Sequence, residues 1–167
     1  MKKIPKKNYI ILAIVVLVVV FSAFYMRNWY LMANEYNSNH SPMLKVINEI
    51  NPDEISNYTL EMPKFVLYTS SGLNKNIKNF ESKFKNYVFD KNIKDYMIYI
   101  NTADLDTDNL DSILNNYTTE DKKINVDDNV NMYIFDNSKI VKTINNANEL
   151  SFKQINRIFK KYGVLDA

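Results

Sequence analysis

The chain has 167 residues, 21 of them basic and 19 acidic for a formal charge of +2; it is 46% hydrophobic and 13% aromatic, and it contains no cysteine. Five basic residues lie at or before Arg27 and every acidic residue lies beyond it, so the rest of the chain carries a net charge of −3. That balance argues against a nucleic-acid partner bound through its phosphates, and the missing thiols exclude disulfide staples, dithiol chemistry and an acylated lipoprotein anchor.

Ile10 to Met26 is an uncharged apolar run, close to the ~20 residues that span a bilayer as a helix. Twelve of its residues are Ile, Leu, Val or Phe, which favours insertion by roughly 4 to 7 kcal/mol. Lys2, Lys3, Lys6 and Lys7 precede it and only Arg27 follows closely, so the positive-inside bias predicts a cytoplasmic N-terminus. Tyr9, Tyr25, Trp29 and Tyr30 fit the two interfacial aromatic belts. Residues 1–8 are thus read as a cytoplasmic basic segment and 9–26 as a transmembrane signal anchor. A polar tether over 27–41 and an extracytoplasmic domain over 42–167 follow. The competing reading is a cleaved secretory signal, with Val20-Phe21-Ser22 as a loose cleavage site; either one exports the rest.

Met32 to Ser41 is polar and holds His40, the chain's one histidine. Ser41 as N-cap and Pro42 at the first helical position predict a short helix carrying Leu44, Ile47 and Ile50, stopping before Pro52. Asn57 to Leu60 reads as a short strand. Phe65 to Tyr68 is a continuous apolar run of strand type, buried on both faces. After Ser70-Ser71-Gly72, the residues Leu73, Ile77, Phe80, Phe84, Tyr87 and Val88 recur at helical spacing and predict an amphipathic helix packed on a sheet. Met97 to Ile100 is a second buried strand, so strand, helix and strand demand a right-handed parallel crossover. A helix over Asp108 to Tyr117 and a hairpin pairing Met132–Phe135 with Ile140–Ile144 come next. Ser151 and Gln154 form a capping box, Leu150 and Ile155 a staple, and Gly163 the C′ residue of a closing helix.

This order resembles a thioredoxin-like domain: an α/β, three-layer fold with a mixed sheet, a terminal hairpin and a closing helix, here preceded by a transmembrane helix. In that family the first core strand runs into Trp-Cys-Gly-Pro-Cys-Lys. Ser70-Ser71-Gly72-Leu73-Asn74-Lys75 resembles that segment, with Ser71 and Asn74 in the cysteine positions and Gly72 and Lys75 matching. The family's cis-proline precedes the hairpin, and Val130 stands in its place before Asn131 to Lys139. The resemblance covers Asp53 to Gly163 and is nearest to membrane-anchored thioredoxin-like proteins of low-GC bacteria, bacteriocin transport accessory proteins among them. It implies that Ser70, Ser71, Asn74 and the Val130 loop converge at one sheet edge, where such proteins hold extended polypeptide. With both cysteines gone it implies no oxidoreductase activity and no cofactor.

Other constellations are weaker. Ser71 has no histidine base in the domain and lacks Ser-x-x-Lys spacing, so the expectation is a cap from Ser70 or Ser71 rather than a nucleophile. Asp104, Asp106 and Asp108 begin like a calcium loop, but Asn109 and Asn115 replace the required glycine and glutamate; these aspartates are read as charging a helix start. The expected function is a non-enzymatic, membrane-tethered accessory protein in peptide export or envelope assembly, with a protein or peptide partner. The alternative is a structural bitopic protein acting through its transmembrane helix, with the domain as spacer or cap.

Overall fold

The computed structural model describes residues 5–118 and 123–165, which divide into two compact units, Met1–Asn39 and His40–Ala167. The first unit is one helix, α1 (Lys6–Asn39). Its Lys7–Ala33 portion is long and apolar enough to cross a membrane. At 1.5 Å per residue α1 is about 50 Å long, and the stretch read as a tether is helical as far as Asn39.

The second unit is mixed α/β. Its elements are β1 (Asn48–Glu49), α2 (Ile55–Glu61), β2 (Lys64–Ser70), α3 (Lys75–Asp90), β3 (Met97–Asn101), α4 (Thr107–Asn115), β4 (Asn131–Asp136), β5 (Lys139–Ile144) and α5 (Phe152–Lys161). They build a five-stranded sheet of order β1-β3-β2-β4-β5. β1, β3 and β2 run parallel, whereas β4 is antiparallel to both β2 and β5. The predicted crossover through α3 and the hairpin are both present. Asn137 and Ser138 form the hairpin turn with φ of 49° and 62°, the left-handed pair that matches strand twist.

Side chains of the central strands alternate between two cores. Val66, Tyr68, Met97, Tyr99, Met132 and Ile134 meet α3 and α5 on one side. Phe65, Leu67, Ile98, Ile100, Tyr133 and Phe135 meet Ile55 of α2 and Leu110 and Leu114 of α4 on the other. Burial on both faces is why these strands read as unbroken apolar runs.

Three segments differ from the expectation. Pro42–Lys45 is a single 3-10 turn, not a helix reaching Ile50, because Asn48 and Glu49 pair with Ile98 and Tyr99 as β1. Asn57–Leu60 is helical, within α2: Pro52 opens the turn, the Glu54 carboxylate accepts the Asn51 N–H at 2.7 Å, and Ile55 and Thr59 are buried one helical turn apart. Leu73 lies outside α3, since Asn74 caps that helix by accepting the Asn76 N–H at 2.8 Å. Neither Ser70 nor Ser71 is the cap. The closing helix is punctuated as read: Gln154 Oε1 accepts the Ser151 N–H at 2.9 Å, and Gly163 has φ of 67°. Gly163 and Val164 donate to Lys160 and Phe159 carbonyls, a Schellman closure.

Candidate functional site

The loop after β2 and the loop before β4 meet at the end of the sheet where the parallel strands finish. Between them lies a groove of about 260 Å³ lined by Ser71, Leu73, Asn74, Ile77, Ala103, Asp128 and Asn129. Ser71 ties its walls together, because its hydroxyl donates to the Asp128 carbonyl at 3.1 Å. Leu73 is 53% exposed beside it, held off α3 by the Asn74 cap. Asp127 braces the far loop by accepting the Asn129 N–H at 3.0 Å and the Asn131 amide at 2.9 Å. Burial would raise the Asp127 pKa, but these hydrogen bonds outweigh it and hold the carboxyl below its usual range.

The expected convergence is therefore partial. Ser71 and Asn74 line the groove, together with Asp128 and Asn129 of the opposing loop. Val130 does not: it is fully buried in the α3/α5 core, and its carbonyl accepts the Ala147 N–H at 2.7 Å. Ser70 also points inward. Its hydroxyl donates to Glu81, while its carbonyl accepts from Thr102 N–H and Tyr99 OH, each at 3.0 Å. The alternation of a strand explains this, since Ser70 shares the face of Val66 and Tyr68.

Glu81 is the polar centre that the sequence reading passed over. It is fully buried on α3, where it accepts hydrogen bonds from Ser41 Oγ at 2.9 Å, Tyr68 OH at 3.0 Å and Ser70 Oγ. Desolvation raises its pKa, and the three hydroxyl donors offset that only in part. The same burial, with the carboxylate beside it, pushes the Tyr68 hydroxyl well above its usual range and Tyr99 up to about 12. Spacing would have found Glu81, which lies four residues after Ile77 and three before Phe84 on the buried stripe. Behind the groove, Gly72 has φ of 62° and passes so close to Ser41 that a Cβ would fall 2.9 Å from the Ser41 Cβ.

Chemically the groove offers hydroxyl, amide and carbonyl groups around an apolar floor of Ile77 and Ala103. The Ser71 proton goes to a backbone carbonyl, so no base activates it. The aspartates after β3 are not gathered into a site. Asp106 caps α4 by accepting the Asp108 N–H at 3.1 Å, and Asp104 and Asp108 are exposed. Among the described residues no group of three or more His, Asp or Glu side chains is placed to hold a metal ion. No protein-family model matches the chain, and no curated protein matches it significantly.

Proposed function

We propose that this chain is a membrane-tethered, non-enzymatic protein with a thioredoxin-like domain that binds an extended polypeptide in the groove beside Ser71 and Leu73. The observation that carries the reading is the meeting of the two loops at the ends of β2 and β4, with Leu73 left exposed between them. The order β1-β3-β2-β4-β5, with its antiparallel hairpin and closing helix, supports the family reading. The absence of cysteine removes that family's dithiol exchange. What remains useful is shape: apolar anchoring at Leu73 and Ala103, with loop carbonyls and amides to pair with a strand-like ligand.

The apolar run and the lysines before it support an anchor with a cytoplasmic N-terminus and a domain on the far side. Such an arrangement suits an accessory role in peptide export or envelope assembly. A photo-crosslinking residue placed at Leu73 in the full chain, expressed in cells, is expected to give a discrete polypeptide adduct, whereas the same residue at the exposed Ser112 of α4 gives none. Equal labelling from both positions, or none from Leu73, would sink the groove reading. Exchanging residues 10–26 for an unrelated apolar helix is expected to leave the Leu73 adduct intact.

A further inference from the structure

The helices on the two sides of the sheet carry opposite charge. α2 and the turn before it hold Asp53, Glu54 and Glu61, and α4 holds Asp108 and Asp111; neither contains Lys or Arg. Across the sheet, α5 holds Lys153, Arg157, Lys160 and Lys161 and no acid, and the turn before it adds the single acid Glu149. α3 adds the exposed Lys75 and Lys83; of its two acids, Glu81 is sealed in the core and Asp90 stands at the last position.

These six basic side chains share one surface because α3 and α5 pack together. Tyr87 OH donates to Asn156 Oδ1 at 3.3 Å, and the Tyr87 and Phe152 rings stack at 5.6 Å. The α5 residues recur at helical spacing and so lie along one exposed stripe. Among the described residues none of the six is held in an ion pair.

We infer that the α3/α5 face docks on an anionic phospholipid surface. The chain carries its own span-length apolar helix, so a bilayer is the extended surface permanently within reach, at an effective concentration no soluble partner matches. Each Lys or Arg within a Debye length of an anionic leaflet, about 10 Å at 0.1 M salt, is attracted to it. The acidic α2/α4 layer lies roughly 20 Å away across the sheet, two packing layers of about 10 Å each, and is repelled. Polarity therefore selects which face turns to the lipid. The inference rests on the proposed membrane anchor and not on the groove.

The lack of native cysteine permits a clean test on the full chain. A fluorophore is attached through Asn79→Cys, between Lys75 and Lys83 on α3, or through Ser112→Cys on α4. Each protein is reconstituted at low density into vesicles of phosphatidylcholine alone or of phosphatidylcholine with phosphatidylglycerol, and energy transfer to a headgroup-labelled lipid is measured. Transfer from position 79 is expected to rise about twofold or more with phosphatidylglycerol and to return to the neutral-lipid level near 1 M salt, where screening is almost complete. Position 112 is expected not to respond. Replacing Lys153, Arg157, Lys160 and Lys161 with Gln should abolish the rise with the far-UV spectrum unchanged; if that variant fails to fold, the salt titration of the wild-type lysines decides. Transfer from position 79 that ignores phosphatidylglycerol overturns the inference. So does transfer that follows protein density instead of lipid charge, the signature of a second copy occupying the face.

Discussion

Burying Glu81 among hydroxyls, where desolvation outweighs both those hydrogen bonds and the attraction of Lys78, ties domain stability to a proton. Its folded pKa is raised from 4.5, so across the interval above 4.5 the folded state keeps a proton that the unfolded chain releases. The contribution of Glu81 is complete below pH 4.5 and is lost as pH rises through the raised value. Asp127 acts in the opposite sense and in a lower window, because its pKa is depressed from 3.8. The melting temperature of Glu81→Gln is therefore expected to gain on the wild type as pH climbs from about 4.5 towards 8, which thermal melts across that range will show. Glu81→Ala should instead destabilise at every pH, by about 1–3 kcal/mol for each hydroxyl left unpaired.

Two tyrosines make a matched comparison. Tyr68 gives its hydroxyl to Glu81, whereas the buried Tyr133 hydroxyl has only the Thr69 hydroxyl near it and closes no full hydrogen bond among the described residues. Tyr68→Phe is expected to cost about 1–3 kcal/mol in denaturant unfolding, the range for leaving a buried acceptor unpaired, while Tyr133→Phe should cost less. Neither outcome was legible in the chain, where both tyrosines read as core. A side chain's partner depends on which residues the fold brings opposite it, and Ser41 lies 40 positions from Glu81.

Among the elements, those with full local punctuation were the legible ones. The closing helix announced itself through Ser151, Gln154 and Gly163, and β2 through a two-faced apolar run. α2 was misread because Asn57 to Leu60 alternates like a strand, while the signals that make it a helix, Pro52 and Glu54, stand before it. β1 has two residues and no period to detect. The groove was half legible: Ser71 and Asn74 followed from the strand-to-helix loop, but Asp128 and Asn129 belong to a loop whose course no local pattern specifies.

The two glycines test whether backbone angle or surroundings dominates. Their φ values are 62° and 67°, so alanine costs each roughly 1–2 kcal/mol of conformational strain. The Cβ at Gly163 would meet only the flexible end of Lys64, whereas at Gly72 it would meet the Ser41 backbone, with Ser41 Cα at 3.1 Å. Gly72→Ala is expected to lower the melting temperature clearly more than Gly163→Ala. Equal effects would show that the Ser41 segment gives way.

At the scale of the molecule, the sheet is sealed by helices on both sides and the unit from His40 onward has its own two cores. A chain starting at His40 is therefore expected to melt within a few degrees of the same transition in the full protein, by circular dichroism. The sequence showed the charge asymmetry between the N-terminal apolar segment with its flanks and the rest, but not the asymmetry across the sheet. That second pattern exists only after α3 and α5 pack on one side and α2 and α4 on the other, since acidic and basic segments alternate along the chain.

Ser41 stands where the chain passes from the helical unit into the fold, with its hydroxyl on Glu81 and its backbone against Gly72. Any mechanical load arriving along the polypeptide from the N-terminal side enters the domain at that wedge. Tension would strip Ser41 from Glu81 before it strained the long β2–β4 pairing, and the first loop to lose its backing would be the one presenting Ser71 and Leu73. If the groove holds a ligand as proposed, its grip is expected to weaken when the N-terminal helix is pulled, as a clamp does when its mounting screw is drawn.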